Sequence, residues 1–295
     1  MNFNKLSFLF VFGFAGISGN AQVAKTIVAE HFTNTRCSVC ASQNPSFYQI
    51  LTNHPEVKHI AYHPTSPYVN CVLAQHNAQE NDARTNYYGV YGSTPRLAIN
   101  GQVISNNPNP YENTNLYDPF QGQTSEFSLR IYQFKEADTI RIRLALTTVA
   151  NHSFTQLRLY SAVAEDTIFY SSPNGESLHH DVFRKSFFGT GGLLFQPAES
   201  IGDSVVFEGK LARNSVWNFN RIFAYALVQN SENRALVQAG FANPSEGFLT
   251  QNFPSIKPEN KDLTISPNPS TSGFYLNSEN GFVKIIDQLG RQVFE

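Results

Sequence analysis

Thr26-Ile27-Val28-Ala29-Glu30-His31-Phe32-Thr33-Asn34-Thr35-Arg36-Cys37-Ser38-Val39-Cys40 hands an apolar run to two cysteines separated by two residues. Residues 26–32 read as a buried strand. Phe47, Ile50 and Leu51 then recur at helical spacing until Asn53-His54-Pro55 stops the helix. Cys37 and Cys40 therefore fall on a first helical turn, where unpaired backbone N–H groups favour an ionised sulfur. Val57-Lys58-His59-Ile60-Ala61-Tyr62-His63 reads as a second strand, so strand, helix and strand follow in the order of a parallel crossover unit. Zinc is the other common use of such a cysteine pair, but it takes four ligands, and the only further cysteine is Cys71. A redox pair at the strand–helix junction is the favoured reading.

Three further features make residues 23–105 resemble the thioredoxin superfamily. Pro45 stands five residues after Cys40, like the proline in that family's active-site helix. Tyr88-Gly89-Val90-Tyr91-Gly92-Ser93-Thr94-Pro95 looks like the family's Tyr-Gly run ending in a cis-proline beside the disulfide, here with one extra residue. Residues 97–104 read as the closing hairpin, with Asn100-Gly101 at its turn. The resemblance implies Cys37 as nucleophile, Cys40 as resolving thiol and Pro95 as the residue shaping a peptide-binding edge, with protein thiols or disulfides as partners and no cofactor.

Two positions depart from the family. Its buried carboxylate, six residues before the first cysteine, is replaced by His31, and Glu30 belongs to the opposite face of the strand. Its tryptophan before the first cysteine is Arg36. A cation there is expected to lower the Cys37 thiol pKa into the roughly 3.5–7.5 range of activated cysteines, which favours an oxidant or isomerase over a strong reductant. The alternative is a structural disulfide in an exported protein, where any close pair bridges. Cys71 reads as a small buried core residue, with a resolving thiol or a link to another chain as the other options.

Lys5 precedes an apolar stretch over residues 6–17, followed by Ser18-Gly19-Asn20-Ala21-Gln22, which identifies residues 1–21 as a secretory signal peptide. No later segment approaches the roughly 20 apolar residues of a membrane helix, so a secreted or surface-attached protein without a transmembrane segment is expected. The net charge of −2 and the 15% of charged residues give no nucleic acid or anionic membrane a surface to grip. A length of 295 residues, with 41% hydrophobic, suffices for two folded domains and a tail.

The expected fold class is α/β plus all-β: a thioredoxin-like domain over residues 22–118 and an antiparallel β-sandwich over 119–250. Residues 105–123, rich in Asn and Pro, read as a loop or linker at which the new domain begins. Strands are expected at 127–132, 140–148, 157–165, 205–211 and 222–228, and Ile140 to Leu146 alternates as a strand with one wet face does. Asn174-Gly175-Glu176, His179-His180-Asp181-Val182-Phe183 and Phe223-Ala224-Tyr225-Ala226-Leu227 are similar to the twenty-eight-kilodalton outer-membrane-protein family of secreted bacterial proteins, whose thioredoxin-like half precedes a β-sandwich. His179 and Asp181, two apart on a strand, share a face and are the candidate metal ligands. Hydrogen-bonded structural roles are the favoured reading for both.

Residues 251–261 form a polar, Pro-punctuated linker. Pro267-Asn268-Pro269 and Asp287-Gln288-Leu289-Gly290-Arg291 make residues 262–295 resemble the C-terminal sorting domain of type IX secretion cargo, which implies that export machinery as a partner. The strands usual beyond the Gly-Arg turn are missing from this sequence, so the sorting domain reads as incomplete.

Overall fold

A computed structural model describes residues 22–136 and 138–242, together with four short strands farther on. The signal segment 1–21, the linker 251–261 and the Pro-Asn-Pro and Gly-Arg motifs lie outside the described residues. The chain divides into two units, residues 1–250 and 251–295.

In the first unit the elements run β1 (Val23–Ala24), β2 (Ile27–Phe32), α1 (Ser38–Asn53), β3 (Val57–Tyr62), α2 (Val72–Gln75), α3 (Ala78–Tyr87), β4 (Arg96–Ile99) and β5 (Gln102–Val103). They continue with β6 (Thr124–Ser125), β7 (Phe127–Glu136), β8 (Thr139–Thr148), β9 (Leu157–Phe169), β10 (Leu178–Ser186), β11 (Leu193–Phe195), β12 (Ser204–Ala212), β13 (Ile222–Asn230) and β14 (Leu236–Phe241). In the second unit β15 (Thr264–Ser266) pairs antiparallel with β16 (Tyr275–Asn277), and β17 (Ile285–Ile286) with β18 (Gln292–Phe294).

β2 and β3 are parallel through six residue pairs, with α1 as the crossover, and β4 and β5 extend the sheet antiparallel beyond β2. On the other side β10 joins β3 in parallel through a single pair, Val182 opposite Ala61, and β9, β13 and β14 follow antiparallel. The result is one nine-stranded mixed sheet in the order β14-β13-β9-β10-β3-β2-β4-β5, with β11 on β9. Strands from residues 22–118 and from 119–250, read in the sequence as two domains, thus hydrogen-bond into a single sheet.

The sandwich pattern is present as two facing sheets. β12, β8 and β7 form a separate antiparallel sheet. Its Ile140, Ile142, Leu144 and Leu146 share an apolar core with Leu157, Leu159, Ala224 and Val228. The opposite faces of β9 and β13 carry Tyr160, Ala162 and Tyr225 into a second core with Phe32, Tyr62 and Phe183. β13 is buried on both faces, which explains its unbroken apolar run; β8 alternates because one of its faces is wet.

Two features of the fold were not legible in the sequence. Residues 105–123 are not a free linker: Tyr111, Leu116, Tyr117 and Phe120 are buried against Phe47 and Ile50 of α1 and Ile27 and Ala29 of β2. Aromatic anchors without periodicity carry no helix or strand signal, which is why this stretch read as a loop. α3 was also missed, because the residues it buries are Glu80, Asn81, Arg84 and Thr85 rather than an apolar stripe. Each is satisfied by a specific partner. Arg84 forks onto Glu30 at 2.7 and 2.8 Å, with Tyr88 and Gln229 completing the network, and Glu80 accepts from Lys185 Nζ and the Ser186 amide, both at 2.7 Å. A buried ion pair of this kind is costly to break because one removed partner strands the other charge.

Candidate functional site: the Cys37–Cys40 disulfide and the hairpin over it

Asn34 builds the turn that leads into the cysteines. Its side-chain oxygen accepts from the Arg36 amide at 3.0 Å, its backbone carbonyl accepts from the Cys37 amide at 3.1 Å, and its side-chain amide donates to Pro64 O at 2.9 Å. Cys37 is then the N-cap of α1, with its sulfur accepting from the Cys40 amide at 3.0 Å. The cap position thus uses a sulfur where Ser or Asp commonly sits. Cys37 and Cys40 are joined in a disulfide, and both are buried, at 1% and 0% exposure.

The Thr94–Pro95 peptide is cis, and the Thr94 carbonyl oxygen lies 3.6 Å from Cys37 Sγ. Since a bridged sulfur carries no proton, this is a contact rather than a hydrogen bond. Pro45 lies inside α1. Arg36 is exposed and points sideways, its Nε donating to Asn70 O at 2.8 Å. Cys71 is a buried free thiol 3.1 Å from Thr35 Oγ1, and its apolar neighbours are Leu73, Ala74 and Val182.

Glu30 and His31 face opposite sides of β2, as strand alternation requires. Glu30 pairs with Arg84, whereas His31 packs edge-on to Phe47, at 4.9 Å between centroids, and stands 5.6 Å from the His59 ring. Burial first, then the neighbouring His59 and His63, hold the His31 pKa well below its ordinary value.

His179 and Asp181 do not converge. His179 Nε2 is 3.1 Å from Tyr170 O, and Asp181 Oδ2 is 2.9 Å from His59 Nδ1. The alternation argument fails because Asp181 has φ of 50°, a left-handed conformation inside β10 that turns its carboxylate out of strand register. His59, His180 and Asp181 border a cavity of about 550 Å³ beside Tyr48, Phe223 and Phe241. No three His, Cys, Asp or Glu side chains among the described residues are grouped as metal ligands.

Sequence reasoning missed the groups that reach the cysteine turn from the β9–β10 hairpin. Asn174 donates its backbone amide to Thr35 O at 3.2 Å, and its side-chain amide to Cys37 O at 3.1 Å and Asn34 O at 3.3 Å. Glu176 Oε1 accepts from Asn44 Nδ2 at 2.7 Å, and Asn44 stands one helical turn beyond Cys40. Asn174-Gly175-Glu176 is visible in the sequence as a turn, but nothing in it links that turn to a motif 137 residues earlier.

No protein-family model matches the chain, and no curated protein matches it in sequence. The fold is shared with HBP35 of Porphyromonas gingivalis. That structure superposes with a TM-score of 0.64 at 16% identity, covering 92% of this chain and 90% of its own. A structural-genomics protein of Agrobacterium tumefaciens gives 0.49 at 17% identity over 79% of this chain and 100% of that one. A domain of the outer membrane lipoprotein Omp28 from Porphyromonas gingivalis gives 0.32 at 10% identity over 40% and 88%. Among the described residues, no helix is long and apolar enough to cross a membrane.

Proposed function

We propose that this is an exported, thioredoxin-like protein that exchanges disulfides with protein thiols through Cys37 and Cys40. The observation that carries the reading is the convergence on one sulfur of a helix N-terminus and the carbonyl preceding Pro95, with the Cys40 amide at 3.0 Å and Thr94 O at 3.6 Å from Cys37 Sγ. In the reduced protein the Cys37 thiolate accepts from that amide at the positive end of α1. It attacks a substrate disulfide, forming one mixed S–S bond and expelling the other substrate sulfur as a thiolate. Cys40, deprotonated, then attacks Cys37 Sγ and releases the second substrate sulfur. The substrate gains two electrons and the pair is oxidised; the reverse sequence oxidises a dithiol. Residues 1–21 and 262–295 are assigned to export, through a signal peptide and the type IX route respectively, and Pro95 to the edge that receives the substrate chain.

The test uses the chain without residues 1–21. Wild type should exchange with a protein disulfide and show a thiol titrating well below about 8.5, with Cys37→Ser abolishing the exchange. A wild-type rate equal to that of Cys37→Ser would refute the enzymatic reading. The near-complete burial of both sulfurs favours a second reading, a structural staple in a binding protein. It predicts a reduction potential below about −300 mV, against roughly −270 to −120 mV for an exchanger.

A further inference from the structure

The β9–β10 hairpin ends in a tip, residues 170–177, that is ordered by its own hydrogen bonds. The Ser172 amide donates to Glu176 O at 2.8 Å, the Gly175 amide to Ser172 O at 3.0 Å, and Ser172 Oγ to Asn174 Oδ1 at 2.6 Å. This preformed tip sits on the turn carrying Cys37. Asn174 holds the carbonyls of Asn34, Thr35 and Cys37, and Glu176 holds Asn44 on the helix that carries Cys40. Glu176 Oε2 also accepts from the Asn174 side-chain amide at 2.6 Å, so the two anchors are tied together.

The attachment to the cysteine turn and to α1 is made by hydrogen bonds. Where the hairpin leaves the sheet, the cross-strand pair Phe169 and Leu178 is 75% and 37% exposed, and the base of the tip is held on its other side by Tyr170, whose ring stands 6.0 Å from that of the buried His179. A segment held by a few hydrogen bonds at the edge of solvent opens more easily than the core beneath it. The disulfide that this turn carries has at most 1% exposure, too little for an attacking sulfur to approach.

We propose that residues 170–177 are a latch: exchange at Cys37 requires the tip to lift, and Asn174 and Glu176 set how often it does. Both are positioning residues that act on access and take no part in moving electrons. The inference rests on the exchange reading for its purpose, but its test does not depend on catalysis.

The experiment follows reduction of the Cys37–Cys40 bond in the protein lacking residues 1–21, with dithiothreitol as reductant. One dithiothreitol thiolate attacks Cys37 Sγ and Cys40 leaves as a thiolate that takes up a proton. The second dithiothreitol sulfur then displaces Cys37, giving cyclic oxidised dithiothreitol and the protein dithiol. A tip of this size opens and recloses faster than a thiolate attacks, so the rate is proportional to dithiothreitol and to the fraction open, and wild type should be reduced at least about tenfold more slowly than oxidised glutathione under the same conditions. In Asn174→Ala/Glu176→Gln the rate should rise about tenfold, the change expected from weakening the closed state by one or two net hydrogen bonds. A wild-type rate equal to that of oxidised glutathione overturns the latch, as does an unchanged rate in a double variant whose near-UV spectrum is native. The comparison with oxidised glutathione is made on wild type, so the inference stays testable if the variant fails to fold. Failed exchange with a suppressed reduction rate sinks the enzymatic reading and leaves the latch; working exchange with an unsuppressed rate does the reverse.

Discussion

His31 occupies the position where thioredoxins keep a carboxylate, and its two ring nitrogens are buried without a hydrogen-bond partner among the described residues. Such a ring is tolerated only uncharged. His63 is in the same state: burial, followed by His179 and Arg184, holds its pKa well below the ordinary value. In the unfolded chain both rings take a proton near the ordinary histidine value of about 6.5, whereas in the folded chain burial opposes it. Below about pH 6.5 the unfolded state binds more protons. Stability is therefore full above that pH and declines as pH falls, with a limiting slope of about 1.4 kcal/mol per pH unit for each ring. Urea unfolding at pH 7, 6 and 5 should show this decline, and His31→Phe should flatten it by one ring's share. A wild-type stability that is constant from pH 7 to pH 5 contradicts the assignment.

The β4–β5 hairpin shows how one turn ties two parts of the sheet. Asn100 and Gly101 take φ of 48° and 84°, the primed turn that Asn-Gly favours, and Asn100 O accepts from the Leu236 amide at 2.9 Å while its side chain accepts from the Val28 amide. A Cβ on Gly101 would stand 2.0 Å from Arg234 O, a backbone atom with little room to retreat. Gly101→Ala should lower the unfolding free energy by about 2 kcal/mol or more. Gly175→Ala, at φ of 96° with nothing within 4 Å, carries only the backbone term and should cost less in the same denaturation assay. Equal losses for the two would show that the close approach to Arg234 is immaterial. This hairpin was legible from Asn-Gly alone, and β2, α1, β3 and the strands β7, β8, β9, β12 and β13 from their patterns, because local pattern and buried face coincide there; β11 and β14 went unread. α3 was illegible since Arg84 and Glu80 give it a charged buried face. β10 was harder still: its Asp181 breaks alternation, and the pairing of Val182 with Ala61 has no sequence signature. At the site, Cys37, Cys40, Pro95 and Arg36 could be named from short motifs, but Asn174 and Glu176 reach it only through the fold.

The continuous sheet changes what counts as an independent piece. Phe32 stacks on Tyr62 at 5.5 Å, Tyr62 meets Phe183 at 5.1 Å, and the Tyr62 and Tyr225 hydroxyls are hydrogen-bonded at 2.7 Å, so an aromatic row crosses from β2 to β13. Without β10 and β13 that face of β2 and β3 would stand in water. Residues 22–118 made alone should therefore fail to give the dispersed amide spectrum of a folded domain, whereas residues 22–250 should give one. A well-dispersed spectrum from the short fragment would establish the thioredoxin-like half as autonomous. The order of synthesis adds a consequence for Asn174 and its hairpin. The cysteines precede them by more than a hundred residues, so on the proposed export route a chain threading through a pore from its amino end delivers both sulfurs to the oxidising side ahead of the proposed latch. On that route oxidation by enzymes on the far side is easiest during transit, and maturation itself closes the door.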